Sequence, residues 1–139
     1  MTFQIFMGHP EMEALWKELL DKSRRNKLSS DEREFLDKWS KALGYLSQNP
    51  KHPGLQTHEI DDLSRKFGMK VWQSYLENNT PGAGRIFWAY GPDRRQITIL
   101  AVERHPESGK RKAYERVHLS RFPKPAASSE NPRDKRRLP

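Results

Sequence analysis

The run Ala83-Gly-Arg-Ile-Phe-Trp-Ala-Tyr-Gly-Pro-Asp-Arg-Arg-Gln-Ile-Thr-Ile-Leu-Ala-Val-Glu-Arg-His105 holds two β-type segments with a reversal between them. The first, Arg85 to Tyr90, is aromatic and aliphatic and follows Gly82 and Gly84. The second, Gln96 to Val102, is rich in Ile, Thr and Val, residues that fill a pleated, half-buried surface. Gly91-Pro92-Asp93 supplies the turn, because proline presets its own φ and glycine is free to take φ > 0. This pattern predicts a β-hairpin of two core strands. Antiparallel pairing brings the start of one strand beside the end of the next. Arg85 and His105 are therefore predicted to be neighbours on one edge of the sheet, a juxtaposition suited to handling phosphate.

Working back toward the N-terminus, Phe3, Ile5 and Met7 alternate with Gln4 and Phe6 as a short strand that Gly8 ends. Pro10, Glu11 and Glu13 suit a first helical turn, and Met12, Leu15, Trp16, Leu19 and Leu20 follow on one helical face. Ser29 and Glu32 have the spacing of a capping box opening a second helix. Phe35, Trp39, Leu43 and Leu46 continue one face of it until Asn49-Pro50. The two helices form a hairpin with Trp16 and Trp39 as core anchors. Lys51-His52-Pro53-Gly54 is a turn, Leu55 to Ile60 a short strand, and Asp61 to Lys66 a loop or one helical turn. Lys70 to Asn78 alternates, with Val71, Gln73, Tyr75 and Glu77 on one face and Trp72, Ser74 and Leu76 on the other. Lys110 to Leu119 fits a strand or a short helix. From Pro123 the composition turns to Pro, Ala, Ser and charge, which predicts a disordered tail over 123–139. The order strand, two helices, run of strands predicts an α+β fold over 1–122. In it an N-terminal strand and a helical hairpin pack on a small, mostly antiparallel sheet.

Composition narrows the classes of function. The chain of 139 residues is one modest domain with a formal net charge of +8, and a basic balance of this size points to a polyanionic partner. Without cysteine it has no disulfide, cysteine zinc site or thiol nucleophile. No run approaches the length that spans a bilayer, and Met1 to Met7 is unlike a signal peptide, so the expected location is cytoplasmic. Arg85 is the leading catalytic candidate, since its planar fork matches phosphate oxygens. Histidine is the natural proton shuttle near neutral pH, which singles out His105. Lys110, Arg111 and Lys112 with Tyr114, Arg116 and Arg121 interleave cations with an aromatic ring, a pattern suited to RNA. Lys51, His52 and His58, with Arg65 and Lys66, form a second basic flank. No His/acid spacing fits a metal, so neither metal nor cofactor is expected.

Asn49-Pro50-Lys51-His52-Pro53-Gly54-Leu55-Gln56-Thr57-His58, then Arg85-Ile86-Phe87-Trp88 before Ile97-Thr98-Ile99-Leu100, resembles the RelE/ParE superfamily of toxin–antitoxin toxins. The similarity spans roughly Met12 to Tyr114. It implies a microbial RNase fold. In the RelE-like branch it also implies metal-independent cleavage of messenger RNA, often on the ribosome, by 2′-hydroxyl attack on the adjacent phosphate. By the same resemblance Arg85 stabilises the phosphorane-like charge, and His105 occupies the position of a residue that acts at the leaving oxygen or on the phosphate. Tyr114 orients or stacks on the substrate, and Lys51, His52 and His58 are RNA contacts. A cognate antitoxin protein is the implied partner. The loop Pro106-Glu107-Ser108-Gly109 separates His105 from Tyr114 more widely than is usual in that branch. Two alternatives remain open from sequence. One is a ParE-like, non-catalytic inhibitor of DNA gyrase or topoisomerase; the other is a basic nucleic-acid-binding module.

Overall fold

A computed structural model describes residues 2–77, 84–104, 114 and 117–123. The chain opens with strand β1, Gln4–Met7, followed by helices α1, Glu11–Arg24, and α2, Ser30–Gln48. A 3₁₀ turn, Pro53–Leu55, leads to the two-residue strand β2, His58–Glu59, and the short helix α3, Asp61–Phe67. Strands β3, Trp72–Tyr75, β4, Arg85–Tyr90, and β5, Gln96–Glu103, complete the described elements. The strands form one sheet in the order β1-β5-β4-β3-β2. Its pairings are antiparallel except β1 with β5, which run parallel. The predicted α+β arrangement of a helical hairpin on a mostly antiparallel sheet is the one observed. The predicted tail, apart from Pro123, lies outside the described residues.

The α1–α2 hairpin exists because each helix has one apolar stripe and a defined start. Ser29 Oγ accepts the Glu32 N–H at 3.1 Å while Glu32 Oε1 accepts the Ser29 N–H at 3.0 Å, a complete capping box. Lys22 Nζ, near the end of α1, donates to Glu32 Oε2 at 2.8 Å and so ties the two helices across their connection. The Lys22 ammonium, with the Ser29 N–H, holds the Glu32 carboxyl down to about 2. A carboxyl depressed on folding contributes stability that is complete above its ordinary range and is lost as pH falls through the depressed value. Ser29→Ala is expected to cost about 1 kcal/mol in urea unfolding. Glu32→Gln should flatten the acid limb of stability between the ordinary carboxylate range and pH of about 2.

Trp39 is fully buried, edge-on to Trp16 at 5.0 Å between ring centroids and stacked on Phe35 at 5.4 Å. These residues join Leu46, Leu55, Ile86, Trp88, Ile97 and Ile99 in a core between the hairpin and the sheet. The far end of α2 is fastened to β1, with the Phe3 N–H donating to Ser47 O at 2.7 Å and Ser47 Oγ donating to Phe3 O at 2.8 Å.

A second core covers the opposite face of the sheet. Phe87, Ala89 and Leu100 meet Ile60, Leu63 and Val71, with Phe67, Val117 and Phe122 packed beside them. The sheet is therefore covered on both faces, by the hairpin on one and by α3 with the segment 117–122 on the other. That segment is held by Ser120 N–H to Leu100 O at 2.8 Å and by reciprocal backbone bonds between His9 and Arg121. Asp61 to Lys66 is a helix rather than a loop, carried one residue further to Phe67 and ended by Gly68 at φ +89°.

The β4–β5 hairpin has the predicted turn, with Gly91 at φ +126°. Arg85 pairs with Glu103, Phe87 with Ala101 and Trp88 with Ile99, so Leu100 is an extra residue in β5. This bulge keeps Leu100 and Ala101 on the α3 side and restores alternation for Glu103 opposite Arg85.

Candidate active site and an aromatic cleft

Alternation along β4 sends Arg85 and Phe87 to the α3 side of the sheet and Trp88 and Tyr90 to the hairpin side. Two distinct clusters of chemistry follow from that split.

On the α3 side, Arg85 is nine-tenths buried at the start of β4. Its Nε–H donates to Glu103 Oε1 at 2.9 Å, and its Nη2–H donates to the same oxygen. Nη1–H reaches Gln73 Oε1 on β3 at 3.4 Å. The guanidinium carbon lies 4.9 Å from the Tyr114 ring centroid and 5.4 Å from that of Phe87. Tyr114 Oη donates to Gln73 Oε1 at 3.0 Å, so Gln73 joins the two predicted residues through one acceptor. Burial pushes the Tyr114 phenol up, against a smaller opposing effect of Arg85. Tyr114 is accordingly a neutral donor at physiological pH. Gly84, just before β4, lets the chain approach its neighbours closely: a Cβ there would meet Leu76 Cδ1 of the hairpin-side core at 2.5 Å and the Glu103 carbonyl oxygen at 2.9 Å.

The predicted Arg85 and Tyr114 are thus brought together. The register sets Glu103 across from Arg85. His105, the other half of the predicted pair, lies outside the described residues, as do Lys110, Arg111, Lys112 and Arg116. Glu103 and Gln73 are members of the cluster that sequence reading did not single out. Glu103 was within reach of the hairpin argument, two positions before His105. Gln73 needed the β3–β4 register.

Lys51 and His52 belong to the other side. With Trp72, Trp88, Tyr90 and Thr57 they line a cleft of about 540 Å³. Trp72 and Trp88 are cross-strand partners whose rings stack at 6.0 Å and 24°, and Tyr90 stands nearly perpendicular to both. A chain of donors fixes this corner. Trp88 Nε1–H donates to Ser74 Oγ at 2.9 Å, Ser74 donates to Thr57 Oγ1 at 2.7 Å, and Thr57 donates to Pro50 O at 2.8 Å. The direction follows because a carbonyl only accepts and an indole N–H only donates. Ser74→Ala would strand the buried indole N–H and free the 50–57 loop from the sheet. A loss of about 1–3 kcal/mol in chemical unfolding is expected.

His58 is not part of this cleft. It lies exposed on β2 at the sheet edge, its Nδ1 bonded to Gln56 O at 3.0 Å. The described residues contain no group of three or more His, Asp or Glu able to hold a metal ion. None of their helices is long and apolar enough to cross a membrane.

Fold and clusters together define a small α+β protein with an Arg–Glu–Gln–Tyr cluster on one sheet face and a basic-rimmed aromatic cleft on the other. Compared with known families, curated proteins and solved structures, the chain matches none.

Proposed function

We propose that this protein is a toxin of a toxin–antitoxin pair, a metal-independent endoribonuclease of RelE-like type that cuts messenger RNA, on the ribosome, and is neutralised by a cognate antitoxin. The observation that carries the reading is the setting of Arg85 beside Tyr114, a cation on the rigid sheet and a neutral phenol donor packed against it. The basic balance of the chain suits an RNA substrate and an acidic antitoxin.

In the proposed reaction the 2′-hydroxyl oxygen bonds to the adjacent phosphorus and the P–O5′ bond breaks. The proton lost from the 2′-oxygen is taken by a base, and His105 supplies one to the departing 5′-oxygen. The products are a 2′,3′-cyclic phosphate and a 5′-hydroxyl. Arg85 stabilises the charge that accumulates on the phosphoryl oxygens. Tyr114 orients the strand, and Glu103 is a positioning residue that holds the guanidinium fork. Lys110, Arg111 and Lys112 contact the backbone phosphates.

A second reading is favoured by the pairing of Arg85 with Glu103. A guanidinium already satisfied by a carboxylate also fits a purely structural role, as a ParE-like gyrase inhibitor requires. Purified protein added to translating ribosomes separates the two. The RNase reading expects cut messenger RNA with 2′,3′-cyclic phosphate and 5′-hydroxyl ends. Intact RNA together with loss of gyrase supercoiling would overturn it.

A further inference from the structure

Trp72, Trp88 and Tyr90 form a preorganised aromatic corner at the mouth of a cleft, and the Arg85 cluster does not use it. Trp88 is fully buried and locked by Ser74, whereas Tyr90 is 39% exposed. An exposed tyrosine standing against two stacked indoles is a ready surface for a flat ring. The cleft, about 540 Å³, falls in the size range of small-ligand sites.

The rim states what kind of ring. Lys51 contributes an ammonium, and none of the residues lining the cleft is a carboxylate. His52 is held by a parallel stack on Tyr45 at 4.4 Å and by Gly54, whose N–H donates to its Nδ1 at 3.0 Å. With Nδ1 accepting, the neutral ring carries its proton on Nε2. Among the described residues Nε2 has no partner, so a fixed donor stands at the rim beside the Lys51 cation.

We infer that this cleft takes one unstacked base of single-stranded RNA, the ring against Tyr90 and Trp72 and its phosphate at Lys51 and the His52 Nε2–H. Aromatic stacking with a flanking cation is the general means of holding single strands. The inference rests on the reading of RNA as the substrate. It adds a contact on the sheet face opposite Arg85, with β3 supplying Gln73 to one face and Trp72 to the other. The strand would cross from one to the other over the β2 edge, where His58 is exposed.

The test is fluorescence anisotropy with the full chain and a short 2′-O-methyl RNA, set against an abasic strand of equal length. The strand has no 2′-hydroxyl and is not cut, so binding is read apart from cleavage. Tyr90→Ala is expected to weaken binding of the base-bearing strand about tenfold and leave the abasic strand unchanged. Tyr90→Phe keeps the ring and should bind as the parent does. Equal weakening toward both strands, or none, would overturn the inference. So would a Tyr90→Ala effect confined to a proline-rich peptide. If this binding holds while RNA is never cut, the cleft stands and the nuclease reading falls.

Discussion

Arg85→Ala should lower RNA cleavage by about two to three orders of magnitude, the usual cost of removing one preorganised transition-state donor. Binding of uncut RNA should change far less, because the contacts proposed for Lys51 and for Lys110, Arg111 and Lys112 do not involve Arg85. The variant also releases Glu103 from its partner. Glu103 is 25% exposed and can hydrate, so the loss of stability should stay below the roughly 3–5 kcal/mol of breaking a fully buried pair. Arg85→Lys keeps the charge without the fork. It should fold better than the alanine variant yet cleave slowly, because a compact ammonium lacks the planar fork that can span Glu103, Gln73 and a phosphate. Single-turnover rates beside thermal midpoints separate these effects. Full cleavage by a folded Arg85→Ala protein would leave Arg85 as a structural ion pair.

Trp39→Ala is expected to cost about 3–5 kcal/mol, a large share of the roughly 5–15 kcal/mol that holds a domain of this size together. Trp39 has no exposed surface and joins the two helices through Trp16 and Phe35. Its Nε1–H has no hydrogen-bond partner among the described residues. Trp39→Phe should therefore lose volume but no hydrogen bond, and cost markedly less than the alanine change. Urea midpoints of the three proteins check this. A Trp39→Phe protein as unstable as Trp39→Ala would mean that the indole N–H has a role the packing does not reveal.

Local signals carried most of the fold. The two apolar β-type runs Arg85 to Tyr90 and Gln96 to Val102, the Gly91 turn and the Ser29/Glu32 box each act over a few residues, and each forms as its chemistry requires. The α3 helix was ambiguous because seven residues with one fully buried leucine leave no helical period to read. The second core was hidden for a different reason. It depends on residues 117–122 returning to β5 and to His9, a pairing of distant segments that no local pattern encodes.

The candidate site divides the same way. Arg85 and Tyr114 were legible by residue type and position, and the cation–ring contact joins them. Gln73 and Glu103 became visible only once the bulge and the β3–β4 register fixed which side chains share a face. The aromatic cleft needs that register too, since Trp72 and Trp88 are sixteen positions apart in sequence and directly opposite in the sheet. Lys51 and His52 were read as part of one basic flank with His58, but they belong with the cleft while His58 lies on the sheet edge.

The most direct test of the nuclease reading is to induce the chain in growing bacteria and map messenger RNA 5′ ends beside the Arg85→Ala variant. New 5′-hydroxyl ends within translated frames that disappear with Arg85→Ala are expected. Growth arrest with intact messenger RNA, or the same ends from both proteins, would contradict it.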